Sequence, residues 1–321
     1  MSTTYGASEA TEGPEPPGTA HEAGEGTGGP GAPGGARGGG QAESRPDQAG
    51  PTRGTERSAG ETRLDPVAVT SRLTAAMRAR ESAREDRLFA DPLAAALAGD
   101  EGREVMERLG MRDNPTIPVR TRYVDEVLAA VQARPGPEQA VLVAAGMDTR
   151  AYRMDLPADV YELDRPELLA LKDRLLESAR PRSRRHPVGV DLTTDWSAAL
   201  TAAGFDPARP AVWIVEGVLQ YLDEADVHRL LDRVTALAAP GSHLITDVVG
   251  RSLLDFPALR PMLDALAANG MEWTFGTDEP ERLLEPRGWT PEVTRISEYG
   301  GALNRWPFPP AAQGYLVHAV R

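Results

Sequence analysis

The run Val141-Leu142-Val143-Ala144-Ala145-Gly146 constrains the fold more than any other feature of the 321-residue chain. It is followed by Val160-Tyr161-Glu162-Leu163-Asp164, whose closing acid stands eighteen residues beyond Gly146. An apolar run entering small residues predicts a buried strand that leads into a tight turn. A second apolar run ending on a carboxylate predicts its neighbour. In a doubly wound α/β domain this pair holds a nucleoside. The turn lets backbone approach the ligand, and the acid accepts hydrogen bonds from the ribose hydroxyls. The pattern by itself does not say which nucleoside-containing ligand is bound.

From residue 140 onward, strand and helix signals alternate. Strands are expected over 140–145, 159–163, 187–190, 212–215 and His243–Val249. A helix from Pro166 carries Leu168, Leu169, Leu171, Leu175 and Leu176 at helical spacing. Another, over 224–239, sets Val227, Leu230, Leu231, Val234 and Leu237 on one face before Pro240-Gly241 ends it. Such βαβ alternation implies a mostly parallel sheet with helices on both sides. Late in the chain, a short helix at Glu281–Leu284 and strands over 292–296 and 315–320 predict a hairpin that finishes a seven-stranded sheet. Three helices are expected ahead of the first strand. One starts at Asp65-Pro66 and carries Val67, Leu73, Ala76 and Met77. A second starts at Asp91-Pro92 with Leu93 and Leu97, and a third covers 119–133. They predict a helical cap over 63–135 on an α/β core over 136–321.

Residues 1–62 form a separate regime. They hold 16 of the 32 glycines, and no Leu, Ile, Val, Phe or Trp precedes Leu64. Such a segment cannot bury enough apolar surface to offset its ordering entropy, so a disordered Gly/Pro-rich tail is expected. A partner-binding arm and a mis-assigned start codon are the alternatives. The net charge of −13 gives the chain no electrostatic reason to seek nucleic acid or anionic lipid. The absence of cysteine excludes disulfides, thiolate zinc sites and cysteine nucleophiles, and it suits a reducing cytosol. No apolar run approaches the ~20 residues of a membrane span, and no basic-then-apolar leader opens the chain. A cytoplasmic protein with no metal centre is the expectation.

In open α/β sheets, ligands lie beyond the carboxyl ends of the strands. The candidate residues fall at those ends: Ala144 and Gly146 after the first strand, Asp164 after the second, Asp191 and Leu192 after the third, and Glu216 with Gly217 after the fourth. Asp164 is read as the ribose ligand or as a cap of the helix at Pro166. Asp191 could accept from an adenine amine while the Leu192 backbone donates to a ring nitrogen; as an alternative, Asp191 is a loop or capping acid. Glu216 follows an apolar run, where an acid is costly unless paired. Asp148 and Arg150 either pair with each other or reach a ligand. His228 and His243 read as ordinary surface and strand-start residues.

Residues 64–321 resemble the leucine carboxyl methyltransferase family, including its bacterial S-adenosylmethionine-dependent O-methyltransferases. The segments that carry the resemblance are Ala79-Arg80-Glu81-Ser82, Phe89-Ala90-Asp91-Pro92, Arg120-Thr121-Arg122-Tyr123-Val124-Asp125, Gly146-Met147-Asp148-Thr149-Arg150-Ala151-Tyr152-Arg153, Tyr161-Glu162-Leu163-Asp164-Arg165-Pro166, Asp191-Leu192 with Asp195-Trp196, and Glu216-Gly217-Val218-Leu219-Gln220-Tyr221-Leu222. The resemblance implies a class I, Rossmann-like methyltransferase fold with S-adenosylmethionine as cofactor. It implies that Arg120 contacts the methionine carboxylate, where an arginine fork suits a carboxylate. It places the Gly146 loop beside the methionine moiety, Asp164 on the ribose, and Asp191 and Leu192 around the adenine. Glu216 would face the methionine amine or the substrate mouth. One departure stands out: the family usually has Gly-Ala-Gly where this chain has Ala144-Ala145-Gly146, and a methyl at the first position narrows the cofactor's approach.

The reaction so implied is in-line methyl transfer to a small molecule, at a carboxyl or hydroxyl group of a secondary metabolite. A carboxylate acceptor needs no general base at neutral pH, whereas a phenol or alcohol does. Glu216 and Tyr221 are the catalytic candidates, and no histidine competes with them. Substrate contacts are expected from the N-terminal helices and from a lid over 255–275. Trp273, Phe275, Trp306 and Phe308 either line an apolar acceptor pocket or belong to the core. The Asp164 spacing also permits a nicotinamide-dependent reductase, although the full G-x-G-x-x-G fingerprint and a Tyr-x-x-x-Lys pair are missing. A catalytically inactive nucleoside-binding protein, with Ala144 as the lesion, is the non-enzymatic alternative.

Overall fold

The computed structural model describes residues 66–133, 136–307 and 314–321; the tail expected over 1–62 lies outside the described residues. Three helices come first: α1 Pro66–Ser82, α2 Ala94–Arg108 and α3 Thr116–Gln132. The sheet then begins with β1 Gln139–Val143, β2 Asp159–Asp164, β3 Arg184–Gly189, β4 Ala211–Val215 and β5 His243–Val249. These five strands are parallel, and β6 Thr290–Arg295 and β7 Gly314–Val320 pair antiparallel at the far edge. The strand order is β3-β2-β1-β4-β5-β7-β6, so the chain reverses its winding direction between β1 and β4.

Both faces of the sheet are covered, which explains why β1 and β4 are buried at every residue. Val141, Val143, Leu163, Trp213 and Val215 point to one face. There they meet Val227, Leu230, Leu231 and Val234 of α7 Glu224–Leu237. Leu142, Val160, Val212 and Ile214 point to the other, against Val119, Val124 and Leu128 of α3. Asp223 starts α7 by accepting from the Asp226 amide at 2.7 Å. A third apolar cluster joins Leu73 and Met77 of α1 and Leu97 of α2 to Leu168 of α5 Pro166–Leu175.

The sequence periodicity misses several short helices: α4 Arg150–Arg153, α6 Ser197–Ala202, α8 Arg251–Leu254, α9 Arg260–Ala268 and α11 Ile296–Ala302. Most are too short for an apolar stripe to repeat. The helix expected at Asp91-Pro92 begins at Ala94, after a turn in which Asp91 Oδ1 accepts from the Leu93 amide at 3.2 Å while its Oδ2 pairs with Arg78. β3 begins at Arg184, earlier than expected, because the Arg184-Arg185-His186 lead-in carries no apolar signal. The helix α10 spans Glu281–Leu284, as expected.

Candidate active site

Register places the candidate residues together. Val143 lies opposite Leu163 on one side and Val215 on the other, so Ala144, Asp164 and Glu216 leave the sheet side by side. Beyond them, at the reversal between β1 and β4, lies a cavity of about 300 Å³. That volume is at the lower end of small-molecule sites, roughly 300–1,000 Å³. Arg120, Ala144, Gly146, Asp164, Asp191, Leu192, Glu216 and Tyr221 all line it. Thr70, Ser71, Thr74 and Arg78 of α1 supply the opposing wall.

The loop after β1 takes an unusual path. Ala144 has φ +60° and Gly146 has φ +47°. A left-handed conformation is cheap for glycine and strained for alanine, so Ala144 holds the shape for which glycine is the natural residue. A Cβ on Gly146 would stand 3.2 Å from the Ser71 Cβ, so the bare glycine lets α1 close over the loop.

Asp164 is 6% exposed and fixed on both oxygens. Oδ2 accepts from the Gly146 amide at 2.8 Å, and Oδ1 accepts from the Arg165 amide at 2.8 Å. The residue at the N-cap of α5 is Arg165, and Asp164 ties the second strand end to the first loop instead of capping that helix. Burial pushes its carboxyl above the ordinary range, against the two amides that favour the charged form. Asp191 is exposed and folded into a local turn, accepting from the Thr193 amide at 2.9 Å and the Thr193 hydroxyl at 2.7 Å. Those two bonds lower its carboxyl below the usual value.

A buried ion-pair cluster forms the deep wall. Arg120 Nε donates to Glu216 Oε1 at 2.8 Å, and its Nη1 donates to Asp247 Oδ2 at 3.0 Å. Arg150 Nη1 donates to Glu216 Oε2 at 2.7 Å and also pairs with Asp148, while its Nε reaches Asp125 at 2.7 Å. Arg153 Nη1 closes on Asp125 at 2.6 Å. Burial opposes ionisation of Glu216, but Arg150 and Arg120 outweigh it and hold the carboxyl below its normal range. In Asp148 the same contest, won chiefly by Arg150, brings the carboxyl down to about 2. Asp148 and Arg150 thus brace each other, while Asp148 also faces the cavity. Gly217, at φ +68°, passes so close that a Cβ would lie 2.9 Å from Arg120 Nη2.

Asp91 joins α1 to this loop. Its Oδ2 accepts from Arg78 Nε at 2.9 Å and from the Thr149 hydroxyl at 2.7 Å, and Arg78 Nη2 donates to the Met147 carbonyl at 2.5 Å. Sequence reading gave no role to Arg78, Asp125 or Asp247. For Asp247 a signal existed, since it is a lone acid inside the apolar strand β5.

Tyr221 lines the mouth in a 3₁₀ turn, Leu219–Tyr221, and burial raises its hydroxyl above the usual range. The aromatic residues do not form one pocket. Phe275 belongs to the main core, and Trp306 packs on the α3 side, against Gly300 and Val119. Trp273 neighbours Tyr221, and Phe308 lies outside the described residues. The segment over 255–275 contains α9. It is tied to the turn by Thr274, whose amide donates to the Gln220 carbonyl at 2.8 Å and whose hydroxyl donates to the Leu222 carbonyl at 2.7 Å. The described histidines stand away from the cavity: His186 pairs with Asp159, His228 with Arg287, and His243 with His318.

Residues 71–235, half of the chain, match the leucine carboxyl methyltransferase family. A Frankia alni protein is 38% identical over 283 residues, covering 82% of this chain and 98% of its own length. The chain belongs to the leucine carboxyl methyltransferase family. A Mycolicibacterium smegmatis member is 43% identical over 208 residues, covering 59% of this chain and 69% of its own. Both relatives are provisionally named S-adenosyl-L-methionine-dependent methyltransferases. A crystal structure from Streptomyces avermitilis, of a protein in a family of unknown function, shares the fold at TM-score 0.57 and 15% identity. It covers 78% of this chain and 97% of its own. A provisionally named methyltransferase from Thermobifida fusca superposes at TM-score 0.56 and 16% identity, covering 78% and 94%. The fold is that of the class I methyltransferases, a mixed seven-stranded sheet flanked by helices.

Proposed function

We propose that this family member is an S-adenosylmethionine-dependent methyltransferase that methylates an oxygen of a small molecule, and that the oxygen belongs to a carboxylate. Family membership and the naming of the relatives support the cofactor. The cavity residues fit it. A left-handed loop bare of side chain at Gly146 gives close approach, and the buried acid Asp164 meets that loop from the next strand. In this reading Asp164 holds the ribose hydroxyls, Asp191 and the Leu192 backbone frame the adenine, and Arg120 receives the methionine carboxylate. Two of the guanidinium nitrogens of Arg120 are already oriented by Glu216 and Asp247. The bound cofactor supplies an electrophilic methyl group on a sulfonium.

One observation carries the choice of acceptor: neither catalytic candidate is suited to take a proton. Glu216 spends both oxygens on arginines and is held in its charged, weakly basic form. Tyr221 is pushed up and stays a neutral phenol, fit to donate a hydrogen bond to an acceptor oxygen. An acceptor that is already ionised at neutral pH suits such a site. The protein's contribution is then to position and to exclude water, and holding reactants ~3–3.5 Å apart can supply ~7–11 kcal/mol. α1 shields one side of the cavity through Ser71 and Thr74.

A secondary-metabolite acceptor and a cytoplasmic setting extend this reading. They rest on the Ala-, Arg-, Gly- and Pro-rich composition and on the lack of cysteine. Among the described residues, no helix is long and apolar enough to cross a membrane. The net charge of −13 speaks against nucleic acid as the acceptor.

Two measurements test the proposal. Calorimetric titration with S-adenosylhomocysteine should show saturable binding that Asp164→Ala abolishes. Radiolabelled methyl should then pass from the cofactor into carboxylic acids in a mixed panel, with base-stable phenol ethers absent. Label appearing only in phenols or alcohols would overturn the carboxylate assignment.

A further inference from the structure

We propose that Asp247 makes the cavity discriminate by charge, favouring the sulfonium cofactor over the neutral thioether that remains after transfer. The inference rests on the cofactor reading above. Asp247 stands near the end of β5 and is 9% exposed. Its Oδ1 accepts from the Gly217 amide at 2.6 Å and its Oδ2 accepts from Arg120 Nη1 at 3.0 Å. Both partners are donors, so the ionised carboxylate satisfies them and a proton on either oxygen would displace one. Glu216 holds the other edge of the same guanidinium, which places Arg120 between two carboxylates.

Following these ion pairs outward, Arg120, Arg150 and Arg153 meet Asp125, Asp148, Glu216 and Asp247. Among the described residues these ion pairs set three cations against four anions, which leaves one buried negative charge without its own cation in the cluster. An uncompensated charge in such a place is costly in the empty protein, and a cation entering the adjoining cavity relieves that cost. Methyl transfer to a carboxylate converts one cation and one anion into two neutral products. The S–CH3 bond breaks with its electron pair left on sulfur, and a carboxylate lone pair forms the new O–CH3 bond. The surplus negative charge therefore attracts the sulfonium itself and loses its hold on the neutral thioether left after transfer; the acceptor carboxylate gains nothing from it. Asp247 is a specificity residue in this account, touching Arg120 and Gly217 rather than the reacting atoms.

The test is calorimetric binding of S-adenosylmethionine and S-adenosylhomocysteine to wild type and to Asp247→Asn. Over a distance on the order of 10 Å, a buried unit charge is worth roughly tenfold in affinity. Asp247→Asn should therefore weaken the sulfonium roughly tenfold more than the thioether. Equal losses for both ligands would overturn the proposal, because a purely structural role for Asp247 lowers both alike. Wild type that binds neither compound would overturn the cofactor reading and this proposal with it. If Asp247→Asn does not fold, wild type is titrated with sinefungin, which carries a protonated amine in place of the methylsulfonium. It should bind at least tenfold more tightly than the thioether, and parity would overturn the proposal.

Discussion

Arg150 and Glu216 close the deep end of the cavity: Nη1 donates to Oε2 at 2.7 Å, and the arginine side chain is 2% exposed. Removing one partner of a buried pair leaves the other charge uncompensated, at a cost of about 3–5 kcal/mol. Arg150→Met should therefore lower the urea unfolding free energy by that order, since it strands Asp148 and leaves Asp125 and Glu216 with one arginine each. Glu216→Gln should lose stability along with cofactor affinity. A variant of Glu216 with unchanged stability and binding but abolished turnover would return that residue to the role of base.

The strained backbone at Ala144 offers a gain. A left-handed φ costs a non-glycine residue about 1–2 kcal/mol, while glycine gives back about 0.5–1 kcal/mol through unfolded-state entropy. Ala144→Gly, at φ +60°, should thus stabilise the protein by up to ~1 kcal/mol. In thermal melts that would be a rise of roughly 2–4 °C. Cofactor affinity should stay equal or improve. A lower melting temperature would mean that the alanine methyl makes contacts worth more than the strain.

The clamp formed by Arg78, Asp91 and Thr149 fixes α1 against the loop after β1. Asp91→Asn abolishes the ion pair to Arg78, leaving at most a neutral hydrogen bond to a buried guanidinium. Hydrogen exchange should accelerate in α1, and S-adenosylhomocysteine affinity should fall, while amides of β4 and β5 keep their protection. Uniform deprotection of the whole sheet would instead show Asp91 to be a global stabiliser.

Acid should act through Asp148. Its folded carboxyl is held at about 2, below the ordinary aspartate range, with burial opposed and overcome chiefly by Arg150. A depressed carboxylate contributes stability that is fully present above the unfolded value. That contribution fades as pH falls from about 4 toward about 2. The shift corresponds to ~2 kcal/mol. Wild type should lose this amount over that window in denaturant titrations, and Asp148→Asn should show a flatter profile there.

Much of the fold was legible because its signals are local. The β1 and β2 runs, the leucine spacing after Pro166 and the face of α7 each follow from period and burial. The small-residue turn at Ala144-Ala145-Gly146 likewise marked where the chain leaves the sheet. The acids ending successive strands group from the sequence alone, since parallel strands bring their carboxyl ends to one edge. The short helices α8 and α9 were not legible, having too few turns for a pattern to repeat. Trp306 and Phe275 could not be sorted between pocket and core, because both settings ask for the same apolar side chain.

The sequence by itself determined the α/β winding, the tight loop after β1 and the acid that meets it, since each is written in residues near one another in the chain. Only the tertiary structure decided which charges neutralise which. Arg120 and Asp247 are 127 residues apart, and Arg78 and Met147 are 69 apart. Ion pairing depends on distance in space and on removal from water, and neither is encoded in spacing along the chain. For that reason Glu216, a plausible base in the linear sequence, becomes in three dimensions the acid that holds two arginines in place.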